Sequence, residues 1–294
     1  MTRLISKVQF KRSEKGEFHE IKKRSLDDTI SLLLNYPWDT ERSLASVELT
    51  CPSITIEHPT GTFLKVAPYF SGKFSLYYRD TNKKVYLKVV KTIEEACSWV
   101  HAYFGQEGKL KGFDKYGFTI NSIAHFRTRS FEYTVNLKAA VVFFRFPLLL
   151  IPLTLLLCSL NFLDHPERFN LSLILAMSLL VLFLSSPIIY FFFNYLSVDK
   201  NSYLRVSKGH DEFVYGTADS KKVYNKQDIT EINRYLTHAT RSPWNDCEVF
   251  TIIFKNGQRI RFTSLLISGQ KFAQKFPDHT IVYNRRFFPI VQSV

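Results

Sequence analysis

The sequence predicts an α+β membrane protein: an N-terminal antiparallel sheet with helices, a hairpin of two transmembrane helices, and a β-rich C-terminal domain with a late helix. Three observations carry this expectation. Two apolar runs without a single charge, 146–163 and 171–198, lie in mid-chain. The segments before and after them alternate apolar and polar residues between turn signals, as half-buried strands do. Averaged over the whole chain, 22% of residues are charged and mean hydropathy is −0.08, so the segments flanking the apolar runs have the composition of folded water-soluble domains.

The first soluble domain is expected over residues 1–135. Leu4, Ser6, Val8 and Phe10 alternate, and the chain turns through Ser13-Glu14-Lys15-Gly16 into Phe18 to Lys22, a hairpin signal. Ser25, with Asp28 three residues on, marks a helix start, and Pro37 closes that helix. Strands follow at Val47 to Leu49, Ile54 to Glu57, Phe63 to Val66, Phe74 to Tyr78 and Val85 to Val90. Thr92-Ile93-Glu94-Glu95 is a capping box opening a helix that runs to Gly105. The result is an antiparallel meander with a helix laid across one face. Alternation sends Phe74, Leu76 and Tyr78 inward and Tyr77 and Arg79 to the other face. The aromatics and basic residues here therefore read as core plus solvated rim, and no nucleic-acid partner is expected.

The apolar runs are long enough to span. A hydrocarbon core of ~30 Å takes about 20 helical residues, which places helices at 139–163 and 171–198. Seven residues, 164–170, join them, so they are antiparallel neighbours and both flanking domains share a compartment. Lys138, Arg145 and Lys200 flank the outer ends, while the joining loop carries one Arg; the positive-inside rule then puts both domains in the cytosol. Arg145, close to a helix end, is expected to snorkel to the interface. Met1 to Ser25 lacks an apolar central run, so no signal peptide is expected and the first spanning helix directs insertion. The four cysteines, Cys51, Cys97, Cys158 and Cys247, have no paired spacing and are expected as free thiols.

The second soluble domain is expected over 199–294. Strands are read at Tyr203 to Val206, Phe213 to Tyr215, Val223-Tyr224, Asp228 to Ile232, Val249 to Phe254 and Arg259 to Phe262, the last two joined across Asn256-Gly257. Ser264 to Phe276 is expected to be helical. The pieces YLRVSKG, VYNKQDITEI, the Pro243-Trp244 corner and FKNGQRIRFTSLL, directly behind a two-helix membrane hairpin, resemble the bacterial pleckstrin-homology-like domains of small membrane proteins. That resemblance implies a partly open β-barrel capped by a helix and used for binding lipid head groups or protein ligands. Residues 276–294 extend past such a helix, and IVYNRRFFPIV is available as a further strand.

Lys221, Lys222, Lys255, Arg259 and Arg261 are the candidates for anionic lipid, since one basic hairpin can lie against a negatively charged leaflet. No phosphate-cradling loop, nucleophile elbow or metal-ligand spacing occurs in the sequence. The nearest approach to chemistry is Cys97 with His101, four apart on a helix whose apolar stripe already claims Cys97. No catalytic residue, metal or cofactor is therefore expected. The expected role is non-enzymatic binding, with membrane lipids and a protein as partners. The sheet of residues 46–105 is similar in style to bacterial toxin-immunity domains, which makes a toxin the concrete form of that protein. Close-packing small residues, Ala176, Ser178, Ser185 and Ser186, suit an alternative role as an assembly factor.

Overall fold

The first hairpin depends on Gly16. In a computed structural model that describes residues 2–42, 52–117, 122–164, 171–238 and 242–291, strand β1 (Leu4–Gln9) pairs antiparallel with β2 (Glu20–Arg24). Gly16 lies in the connection at φ +81°, and a Cβ there would come within 2.8 Å of the Arg127 carbonyl oxygen. Glycine is the residue that tolerates both the left-handed backbone and the close approach. The chain forms two units: Met1–Phe131 with Ser207–His210, and Glu132–Val206 with Asp211–Val294.

In the first unit the predicted helix starts where its cap requires. Ser25 Oγ accepts from Asp28 N and Asp28 Oδ2 accepts from Ser25 N, each at 3.2 Å, opening α1 (Leu26–Asn35). Tyr36, immediately before Pro37, is extended at ψ 135°, as the proline ring demands, and a single turn α2 (Trp38–Glu41) follows. The expected strand at Val47 to Leu49 and Cys51 lie outside the described residues. Next come β3 (Ser53–Glu57), β4 (Phe63–Pro68), β5 (Phe74–Arg79), β6 (Val85–Val90), α3 (Ile93–Gly105) and the short β7 (Asp114–Lys115). The strands form one sheet in the order β2-β1-β3-β4-β5-β6-β7. Phe74, Leu76 and Tyr78 face a core shared with Leu33 of α1 and Ala96, Val100 and Tyr103 of α3.

On the opposite face the expectation of a solvated rim fails. Tyr77 is fully buried with Phe63, Ala67, Val85 and Phe126, and Arg79 is buried with its guanidinium 5.0 Å from the Phe63 ring centroid. The reason is that the chain beyond β7, to which the sequence reading assigned no element, brings Phe126 onto that face.

The second unit begins ahead of the apolar helices, at Glu132, within the stretch 1–135 that the sequence reading assigned to the first soluble domain. Strand β8 (Glu132–Thr134) pairs antiparallel with β9 (Ser202–Arg205), although the chain between them contains α4 (Leu137–Phe143), α5 (Arg145–Asp164) and α6 (Leu171–Asp199). Helix α6 is long and apolar enough to cross a membrane; α4 and α5 meet the same criterion only together, and they are bent by 62°. That bend divides the single helix expected over 139–163. Pro147 has no N–H to offer the Phe143 carbonyl, so the ladder breaks there.

After α6 the chain adds β10 (Glu212–Thr217), β11 (Lys221–Asn225), β12 (Ile229–Thr237), β13 (Val249–Phe254), β14 (Arg259–Thr263), α7 (Gly269–Lys275) and β15 (Ile281–Arg286). Two sheets result, β11-β10-β9-β8 and β14-β13-β12-β15. They close on Leu204, Phe213, Ile232, Phe250, Phe262 and Phe272. Phe272 of α7 is fully buried, its ring 4.3 Å from Phe250 and 5.6 Å from Phe262. Truncating such a residue to alanine costs about 3–5 kcal/mol. Helix α7 is shorter than the expected Ser264 to Phe276 because Leu265, Leu266 and Ile267 are all buried. Three consecutive buried residues cannot share one helical stripe, and a turn on the Thr263 carbonyl takes their place.

Candidate functional site

The barrel of the second unit has two distinguishable ends, defined by where α6 is fastened. Asp199, the last residue of α6, accepts from Thr263 N at 3.0 Å and Thr263 Oγ1 at 2.5 Å. Thr263 ends β14, opposite Val249 at the start of β13. Ile188, Phe191 and Tyr195, spaced as one helical stripe, are buried, and the latter two pack with Val249 and Leu265. The basic candidates sort along this axis. Ser202 pairs with Thr217 and Gly216 with Lys221, so Lys221 and Lys222 lie at the α6 end with the exposed Lys200. Lys221 Nζ sits 3.9 Å from the Tyr203 ring centroid, a cation–π contact.

Lys255 and Arg259 lie at the other end. They flank the tight turn of β13 and β14, four strand steps from Thr263, about 14 Å at ~3.4 Å per residue. Two of the candidates on the β13–β14 hairpin therefore lie at the end away from α6. Arg261 is between, half-buried, its carbonyl accepting from Tyr215 Oη at 2.7 Å. Of the interface residues, Lys138 is exposed in α4, and Arg145 at the start of α5 pairs with Asp246 of the β12–β13 connection. An expected snorkelling residue thus has a protein partner.

A second constellation was not legible in the sequence. Glu17 is buried, and its Oε1 accepts from Gly209 N at 2.8 Å, His210 N at 3.1 Å and His210 Nδ1 at 2.8 Å, while Oε2 accepts from Glu14 N at 2.8 Å. Burial raises the Glu17 pKa, but hydrogen bonds from His210, Ser207 and the Glu14 backbone outweigh it and bring the value down to about 2. Gly209 is required at its position: a Cβ there would lie 2.9 Å from both Glu17 Oε1 and His19 Nε2.

The ring of His19 stacks on His210 at 4.3 Å and 15°, with Phe10 edge-on to His19 at 5.0 Å. Donor atoms of Glu17, His19 and His210 all lie within 4.8 Å of one another, a set that zinc-class metals accept. Stacked, near-parallel rings hold their in-plane lone pairs in separate planes that do not converge on one ion, however, and Glu17 Oε1 already holds three hydrogen bonds. Gathering the three on one ion requires His210 to leave both the stack and the carboxylate. As it stands, the cluster anchors the Ser207–His210 segment within the first unit.

Cys97 and His101 remain one turn apart on α3. Burial and the neighbouring Glu94 raise the Cys97 pKa, which disfavours the thiolate that nucleophilic or metal chemistry needs.

A family model described as a PH domain matches residues 132–275. It starts at Glu132, the first residue of β8, and so embraces the apolar helices as an insertion, in agreement with the pairing of β8 with β9. The C-terminal half of the chain therefore carries a PH-like domain. No curated protein matches the chain.

Proposed function

We propose that the chain is a non-enzymatic binding protein anchored in a bacterial inner membrane by a helical hairpin, with both soluble units at the cytoplasmic face. The observation that carries this reading is the insertion of α4, α5 and α6 between two neighbouring antiparallel strands of the PH-like sheet. A chain that leaves from the end of β8 and returns at the start of β9 must come back to its starting level, so an apolar insertion there enters and leaves the bilayer on one side. Membership of the first unit gives independent support, since Ser207–His210 follows α6 and residues 1–131 precede α4. The basic residues Lys138 and Lys200 at the outer ends favour the cytoplasmic side.

A PH-like domain suggests binding of lipid or protein, and the two ends of this barrel suit different partners. Lys200, Lys221 and Lys222 lie where the domain meets α6, which suits anionic head groups. Lys255 and Arg259 lie at the far end, which suits a protein ligand; a membrane-acting toxin captured with help from the first unit is the narrowest form of this reading.

The test is protease protection of the full chain carrying an epitope at each terminus, in bacterial spheroplasts, after carbonate washing of membranes. Both epitopes should stay with the membrane and resist added protease until the cells are permeabilised. Release by carbonate, or digestion of either epitope in intact spheroplasts, would refute the anchoring. Affinity purification of the same chain in mild detergent then reads the partner, by mass spectrometry of the proteins and lipids retained.

A further inference from the structure

The chain does not stop at its capping helix. β15 runs parallel to β12 with Arg286 opposite Thr237, so residues 285–288 emerge at the end of the sheet that holds α6. They are fastened there. Phe288 packs against Phe191 of α6 at 5.7 Å and against Trp244 at 6.0 Å. Tyr195 Oη donates to Pro289 O at 2.7 Å, and Asn194 exchanges two hydrogen bonds with the Val291 backbone at 3.1 and 2.9 Å.

Despite these ties Phe287 is 67% exposed and Phe288 43% exposed. Two adjacent phenylalanines held on a rigid helix and left open to the outside are a contact surface, not a frayed end. Tyr190 and Phe193, on either side of Phe191 in α6, are exposed as well, and Phe143 and Phe144 at the end of α4 reach the adjacent Phe192.

Tyr190 lies at the level a bilayer boundary would occupy. From Leu171 to Tyr190 is about 20 residues, or ~30 Å of helix, the thickness of a hydrocarbon core. Tyr and Trp concentrate at that boundary, phenylalanines of membrane-surface segments insert just beneath it, and arginines reach the phosphates above it. Arg285 and Arg286 are both exposed, and the Arg286 guanidinium lies 4.3 Å from the Tyr235 ring centroid. We propose that Arg285-Arg286-Phe287-Phe288 is a lipid-interface anchor, in which the two phenylalanines enter the boundary between acyl chains and head groups and the arginines engage anionic lipid phosphates. This rests on the membrane reading of α6 given above. It gives β15 a purpose: the parallel strand carries the segment back from α7 to the helix.

The test uses the full chain in nanodiscs containing phosphatidylglycerol, with lipids brominated either near the head group or near the acyl terminus. Phe287→Trp places a quenchable reporter at the anchor, Phe183→Trp places one within α6, and the parent protein supplies the background of the native tryptophans. Shallow bromine should quench the Phe287→Trp signal at least twofold more than deep bromine does, while deep bromine quenches Phe183→Trp. Replacing phosphatidylglycerol by a zwitterionic lipid should weaken the Phe287→Trp quenching, and Arg285→Glu should weaken it likewise. If Phe183→Trp is quenched and Phe287→Trp is not, the helix spans but the segment faces water or protein, and the inference is overturned while the anchoring stands. If neither is quenched, the membrane reading itself fails and takes the inference with it. Circular dichroism against the parent verifies that each variant is folded.

Discussion

Thr263 gives both its backbone N–H and its hydroxyl to one oxygen of Asp199, joining the end of β14 to the last residue of α6. A carboxylate at a helix C-terminus faces the negative end of the helix dipole, so the site must supply donors to keep it. Both residues are fully buried. Thr263→Val keeps the shape and removes the hydroxyl, leaving a buried carboxyl oxygen short of a donor, and should cost about 1–3 kcal/mol. Thermal unfolding in detergent should show the loss, and Thr263→Ser should restore most of it. Equal stability of all three proteins would mean that the bond contributes nothing to holding the helix.

Arg145 with Asp246 and Arg234 with Glu248 are ion pairs of opposite worth. The first pair is more than half exposed on both sides, and Arg145→Gln should change stability by less than about 1 kcal/mol. In the second, Arg234 Nε and Nη2 reach the two oxygens of Glu248 at 2.8 and 2.6 Å and both side chains are mostly buried. Arg234→Ala strands the carboxylate and should cost about 3–5 kcal/mol. Chemical denaturation of both variants compares them directly.

Gly209 should tolerate no larger residue. Its α-carbon packs against Glu17 and His19, and Gly209→Ala should cost about 1–3 kcal/mol through overpacking. Hydrogen exchange locates the effect: the amides of Gly209 and His210, both bonded to Glu17, should lose protection first.

His125 should make stability depend on pH. Burial, with Lys15 and Lys65 nearby, lowers its pKa to about 4, against about 6.5 in an unfolded chain. Between these values the unfolded state binds the extra proton, so the stabilisation is fully present above pH ~6.5 and is lost as pH falls toward 4. Melting temperatures of the parent should fall across that window more steeply than those of His125→Asn.

Cys247 should be inert while the protein is folded. Burial, with Asp246 and Glu248 beside it, pushes its thiol up to about 12. Mass spectrometry after iodoacetamide treatment at pH 8 should find Cys247 unmodified in the native protein and modified after denaturation.

Much of this molecule is legible from short-range pattern. The Ser25 capping box, the hairpin across Asn256-Gly257, the end of α1 before Pro37 and the apolar run of α6 each depend on neighbours close in the chain. The shortfalls have physical causes as particular. Phe126 covers Tyr77 only because the chain folds back over the sheet, and no periodicity in 123–126 announces that. Pro147 marks in the sequence a place where the helix can bend, but membrane helices also absorb prolines, so the size of the bend, 62°, was not legible from it.

The candidate sites were less legible than the fold. The basic residues of the second unit were identifiable by type, yet their division between the two ends of the barrel follows from the strand register and from Asp199 meeting Thr263. Glu17 and His210 are 193 positions apart and carry no motif between them.

The sequence by itself determined that α6 is apolar and long enough to cross a membrane, where α1, α3 and the β13–β14 hairpin lie, and that the C-terminal region is rich in short strands. These are properties of side-chain periodicity, local backbone preference and composition. Tertiary structure alone decided that β8 belongs to the PH-like sheet across an insertion of apolar helices, and that residues 285–288 return to the side of α6. Strand pairing joins backbone N–H and C=O groups that are the same in every residue, so the sequence marks a strand without naming its partner; the partner is chosen by which edges remain open once the core has closed.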